Sequence, residues 1–171
     1  PYWGNYTIAF KSLLEKLGLE VIEPEKTNPK SIEEGARISP EMYCFPLKTN
    51  IGNYLSAIRK GADTIFMITS LGGSCRLRYY GIIQKKILSE TGYEVDFVIF
   101  DQTPKDIYSK IKEISGASFR QIIEAVWFFY EKLRFIEKLE KEAAFLRPRE
   151  KIKGGTDKIL RQAFLELDKI N

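Results

Sequence analysis

Two short apolar runs constrain this chain more than any other feature. Thr64-Ile65-Phe66-Met67-Ile68 is continuous, without the apolar–polar alternation of a strand that keeps one face wet. Val95 to Phe100 reads as the last clear strand. Strands of this kind belong to parallel sheets covered on both faces. Between them, Arg78 to Thr91 has helical spacing, with Ile82, Ile83, Ile87 and Leu88 on the inward side and Gly92 just past the end. Strand, helix, strand in this order makes a parallel pair joined by a crossover.

The same rhythm extends to both sides. Thr7 to Leu17 reads as a helix stopped at Gly18, and Glu20 to Glu23 as a short strand stopped by Pro24. Asn28-Pro29 starts a helix that runs to about Arg37, because Asn caps well and Pro suits the first turn. Ser39 to Thr49 reads as a loop, Asn50 to Lys60 as a helix ended by Gly61, and Pro104 to Ile114 as another helix. The expected fold is α/β: a flavodoxin- or Rossmann-like parallel sheet flanked by helices over residues 1–118. Pro1 to Asn5 resembles the loop that leaves a first strand, so that strand is expected to be missing from the recorded chain.

Residues 119–171 form a separate helical extension in this reading. Phe119, Ile122, Val126, Phe129, Leu133, Ile136 and Leu139 make one stripe of a helix reaching about Phe145. At ~1.5 Å per residue it would be about 40 Å long. Trp127, Phe128, Tyr130 and Phe135 widen the stripe beyond one face. Such a helix either packs along its own domain or offers residues 119–146 to a second copy, a missing domain or another partner. After Gly154-Gly155, Thr156 is placed as the cap of a last helix, with Ile159, Leu160, Ala163, Phe164, Leu167 and Ile170 inward.

Composition removes several kinds of chemistry. The 171 residues include no histidine, so Ser-His-Asp triads and His-ligated zinc are out. Two cysteines are too few for a disulfide framework. No apolar run approaches 18 residues, and no secretory leader is visible, so a cytoplasmic protein off the membrane is expected. A formal charge of +4 without a basic stripe gives no reason to expect nucleic acid as partner.

Ligands of open parallel sheets bind at the carboxyl edge of the strands, where helix N-termini converge. Both cysteines fall in loops at that edge. Cys44 precedes the helix at Asn50, and Cys75 precedes the one at Arg78. Lys48, Arg76 and Arg78 would favour thiolates there, the form that binds metal or attacks an electrophile. From spacing alone, two ordinary packed thiols are the commoner outcome. Gly72-Gly73-Ser74 could cradle an anion with backbone N–H groups, yet it matches neither nucleotide-binding glycine pattern, and by itself a tight strand-to-helix turn is the better reading. Tyr79-Tyr80 could stack on a ligand or anchor a helix.

The run Ser39-Pro40-Glu41-Met42-Tyr43-Cys44-Phe45-Pro46-Leu47-Lys48, with Gly52-Asn53-Tyr54 and Gly61-Ala62-Asp63-Thr64 behind it, resembles a known family. So does Cys75-Arg76-Leu77-Arg78-Tyr79-Tyr80 with Gln84 and the stretch from Leu88 to Gly92. The family is that of proteins related to 2-hydroxyacyl-CoA dehydratases and their activases, mostly from anaerobes and largely uncharacterised. The resemblance implies an iron–sulfur subunit or accessory protein of electron-transfer or radical-dehydration chemistry, partnered by an ATP-dependent activase. It implies Cys44 and Cys75 as ligands of a 4Fe-4S cluster. Lys48, Gly72, Gly73, Ser74, Arg76, Arg78 and Tyr79 would bind or tune the cluster. One departure stands out: relatives carry Cys-Gly-Pro-Cys where this chain has Gly72-Gly73-Ser74-Cys75. Two cysteines fall short of a cluster's usual four. The implied outcomes are a cluster shared between subunits, one completed by a partner, or a cluster-less binding or assembly module.

Overall fold

The structure is a computed structural model that describes residues 1–68, 76–101 and 103–170, without the side chains of Ile68, Arg76 and Leu77. Its elements are helices α1 (Thr7–Lys16), α2 (Pro29–Ile38) and α3 (Phe45–Arg59), strand β1 (Thr64–Ile68), α4 (Tyr80–Glu90), β2 (Asp96–Phe100), α5 (Pro104–Ser115), α6 (Phe119–Leu146) and α7 (Gly155–Lys169). A 3-10 turn over Arg76–Tyr79 leads into α4. The residues group into two compact units. One holds Pro1–Tyr2 with Ile22–Gly116, and the other holds Trp3–Val21 with Ala117–Asn171.

In the first unit, β1 and β2 pair in parallel, Thr64 opposite Asp96 through to Ile68 opposite Phe100. The α/β class and the crossover through α4 are as the apolar runs require. The described residues hold these two strands and no others, so the sheet is smaller than a flavodoxin-like fold needs. The core joins the two strands to α3 and α4 through Leu47, Ile51, Tyr54, Leu55, Ile65, Met67, Tyr80, Ile87 and Leu88.

The strand expected at Glu20–Glu23 does not form. Its neighbourhood finds hydrogen-bond partners on a helix instead of in a ladder. The Glu25 N–H donates to Ser56 Oγ (3.1 Å), and Lys60 Nζ donates to the Glu23 carbonyl (3.2 Å). Asn53, almost wholly buried on α3, accepts from the Tyr2 N–H (3.2 Å) and exchanges hydrogen bonds with the Thr27 hydroxyl. The bonds to Ser56 and Asn53 satisfy part-buried polar groups that burial would otherwise leave costly.

The helix expected at Asn50 begins at Phe45. Pro46, in the stretch expected as a loop, sits in the first turn, where a missing N–H costs nothing. Helices α2 and α3 cross at backbone contact. An added Cβ at Gly35 would lie 2.0 Å from the Lys48 carbonyl oxygen, and one at Gly52 would lie 1.9 Å from that of Ser31. Arg59 pairs with Glu34 across the same crossing (2.8 Å) and holds that carboxyl below its usual range. Asn28 and Ser31 cap α2 reciprocally, as the Asn-Pro start predicts.

The second unit is helical. Helices α1, α6 and α7 share a core of Ala9, Ile136, Ala143, Leu160, Phe164 and Leu167. Phe10 bridges Trp3 and Phe129 with tilted rings at 4.2 and 4.8 Å. Ser118 and Gln121 form a capping box that starts α6. Thr156 does not cap α7. Gly154 occupies the cap position with φ 84°, and the Glu150 carboxylate accepts from the Gly154 and Thr156 N–H groups at 2.6 and 3.0 Å. Ile159 and Ile170, expected inward, are exposed, as are Ile82 on α4 and Phe119 and Val126 on α6. Neither α6 nor any other described helix is long and apolar enough to cross a membrane.

Candidate functional site

Helix α3 leads into the start of β1 and α4 into the start of β2, and their own N-termini meet where Cys44 contacts Tyr80, on the side of the carboxyl ends of the strands. That is where ligands of parallel sheets bind. Cys44 is the N-cap residue of α3, in extended conformation with ψ 154°. It is an exposed, unbridged thiol. Its Sγ is in hydrogen-bond contact with the Tyr80 hydroxyl at the start of α4, where either group can donate. The Tyr80 ring is buried in the core, so the phenol oxygen is fixed beside the sulfur by the packing of α3 against α4.

One helical turn beyond Tyr80, Gln84 faces the same helix. Its Oε1 accepts from the Tyr54 hydroxyl (3.2 Å), which also lies 3.4 Å from Met67 Sδ. Gln84 is fully buried, and its Nε2 has no hydrogen-bond partner. Burial pushes the Tyr54 phenol above its ordinary range, because its charged form has no water. The α3–α4 seam thus carries a polar row from Cys44 and Tyr80 down to Gln84 and Tyr54.

Lys48, expected in the loop before the helix, lies instead in the first turns of α3, with Nζ on the Glu41 carbonyl (3.4 Å). Arg78 folds over the Tyr79 ring at 4.4 Å and donates to the Tyr79 hydroxyl. Arg76 opens the 3-10 turn before α4. Cys75, Gly72, Gly73 and Ser74 lie outside the described residues. Met42, Phe45, Tyr79 and Ile82, neighbours in sequence of Cys44 and Tyr80, all expose apolar surface. Tyr80 was not singled out from the sequence as the residue on the sulfur. Its place one turn before the buried Gln84 is the signal that separates it from Tyr79.

The third helix start at this edge belongs to α5. Thr103 caps it by accepting from the Asp106 N–H (3.2 Å). Asp106 in turn accepts from Lys110 (2.9 Å) and from the Asp101 N–H (2.7 Å). Lys110 first, and then that backbone bond, hold the Asp106 carboxyl below its usual range.

Residues 2–71 match the family model of a CoA enzyme activase uncharacterised domain. The activase-related resemblance is therefore shown for that segment, which contains Cys44 and Lys48 and stops before Gly72. No curated protein matches the chain, and no solved structure does.

A 4Fe-4S cluster takes four thiolates. This chain has two cysteines and no histidine. Among the described residues, no group of three or more His, Cys, Asp or Glu could hold a metal ion. One chain therefore does not fit a complete cluster.

Proposed function

We propose that this protein is an accessory module of a CoA-enzyme activation system of the 2-hydroxyacyl-CoA dehydratase type. In this reading Cys44 supplies one thiolate to an iron–sulfur site whose remaining ligands come from Cys75 and from outside the chain. The observation that carries the reading is Cys44 itself, an exposed thiol at the start of a helix, with a fixed phenol hydroxyl on its sulfur. The activase-type match over the segment containing it supports the same assignment. The exposed Met42 and Phe45 beside Cys44 suit the approach of another polypeptide, which a two-cysteine chain needs to complete a ligand set.

The test is anaerobic reconstitution with iron and sulfide, on the wild type, Cys44→Ser and Cys75→Ser. Iron and labile sulfide bound by the wild type and lost in both variants is the expected result. An iron-free wild type favours the second reading, a cluster-less binding or assembly module of the same type. The shortage of ligands within one chain is the observation on that side.

A further inference from the structure

We infer that the amino-terminal half of α6 is the seat of a second copy of this chain, docked antiparallel about a two-fold axis near Val126. The inference stands apart from the iron–sulfur reading and uses none of its residues. Phe119, Ile123, Val126, Trp127 and Tyr130 follow the 4-3-4 spacing of one helix face, with Trp127 widening it. All five are exposed, Phe119 at 63% and Trp127 at 65%. The buried face of α6, through Ile122, Ala125, Lys132, Ile136 and Ala143, lies on the other side.

The patch is bounded. Beyond Tyr130 the same face carries Arg134, Glu137 and Lys141, so the apolar stretch ends after three turns. Side chains of this size place on the order of 500 Å² of apolar surface there. With the charged rim added, the face approaches the ~800 Å² per partner of a stable interface. A single bounded patch that meets itself closes as a two-fold pair and does not propagate.

The rim favours a copy of this chain over other occupants. It holds Arg120, Glu124, Glu131 and Arg134, two bases and two acids, now paired within the helix as Arg120–Glu124 (2.8 Å) and Arg134–Glu131 (3.8 Å). A nucleic acid or an anionic membrane would call for an excess of bases. In an antiparallel pair with its axis near Val126, Tyr130 of one copy lies over Phe119 and Ile123 of the other. Arg120 then lies beside Glu131 of the other, twice by symmetry.

Sedimentation equilibrium of the full chain tests this, with far-UV circular dichroism as the fold control. Every altered side chain is exposed, so the variants are expected to fold. The wild type is expected to dimerise with concentration. Trp127→Ala should weaken the dimer about 30-fold or more, as a central interface tryptophan does. Arg120→Glu should weaken it several-fold by facing Glu131, and adding Glu131→Arg should recover it. A chain that stays monomeric at about 0.1 mM overturns the inference, since an interface of this size is populated there. So does a dimer indifferent to Trp127→Ala, or a double variant that recovers nothing.

Discussion

The α2–α3 crossing sets where Cys44 stands, and a single methyl group tests it. In Gly52→Ala the new Cβ would lie 1.9 Å from the Ser31 carbonyl oxygen and 2.7 Å from its carbon. A carbon needs about 3.3 Å from such an oxygen. The two helices must therefore part by more than ~1 Å, and the obstacle is backbone, which cannot rotate away. Overpacking costs about 1–3 kcal/mol and more where nothing yields. The helix preference of Ala over Gly returns up to ~1 kcal/mol. With backbone as the obstacle the overpacking should reach about 4 kcal/mol, a net loss of about 3 kcal/mol, which is roughly 6–12 °C in melting temperature for a chain of this size. Urea unfolding followed by far-UV ellipticity measures it as a lower midpoint. Gly155→Ala is the control: its Cβ would meet nothing within 4 Å at an ordinary φ, so it should leave stability unchanged or raise it by up to ~1 kcal/mol. A loss below ~1 kcal/mol in Gly52→Ala, or a gain, would refute the reasoning.

Other outcomes follow from buried polar groups and caps. Lys132 is buried at 3% exposure, with its ammonium on the Ser12 hydroxyl and 5.0 Å from the Phe128 ring, and burial lowers its pKa. The unfolded chain therefore binds more protons, so stability should rise with pH through the lowered pKa towards ~10.5. Lys132→Met should abolish that rise and raise stability by about 1 kcal/mol at neutral pH, read by urea unfolding across pH. Tyr54→Phe strips Gln84 of its partner and should cost about 1–2 kcal/mol, most of it recovered by adding Gln84→Met. Glu150 is held below its usual range by the Gly154 and Thr156 N–H groups. Its contribution is present above the unfolded carboxyl pKa and is lost as pH falls through the depressed one. Glu150→Gln should therefore lose stability at neutral pH and converge with the wild type in acid, as seen in melting curves.

What was legible in the sequence had period and length on its side. The runs at Thr64 and Val95 are short and rich in apolar residues, and they pair in parallel as expected, although only Ile65, Met67 and Phe100 among their described side chains are buried. Asn28-Pro29 marks a helix start by chemistry that acts locally. The failures are tertiary. Glu20 to Glu23 has strand-like residues, yet the helix side chains of Ser56 and Lys60 take its neighbours' hydrogen bonds. Pro46 looks like a loop residue until its place in a first turn is known. Ile159 and Phe119 have helical spacing, but periodicity does not say which of two apolar faces is covered. The Cys44–Tyr80 contact joins residues of two helices, and no local pattern reports such a meeting.

The central claim is that Cys44 is a ligand, and alkylation footprinting tests it on the atom itself. The protein is treated with iodoacetamide before and after anaerobic loading with iron and sulfide, and Cys44 is read by peptide mass. Exposure of the apo thiol predicts ready modification, and ligation predicts protection once iron is bound. Equal modification of Cys44 in both states would contradict the account.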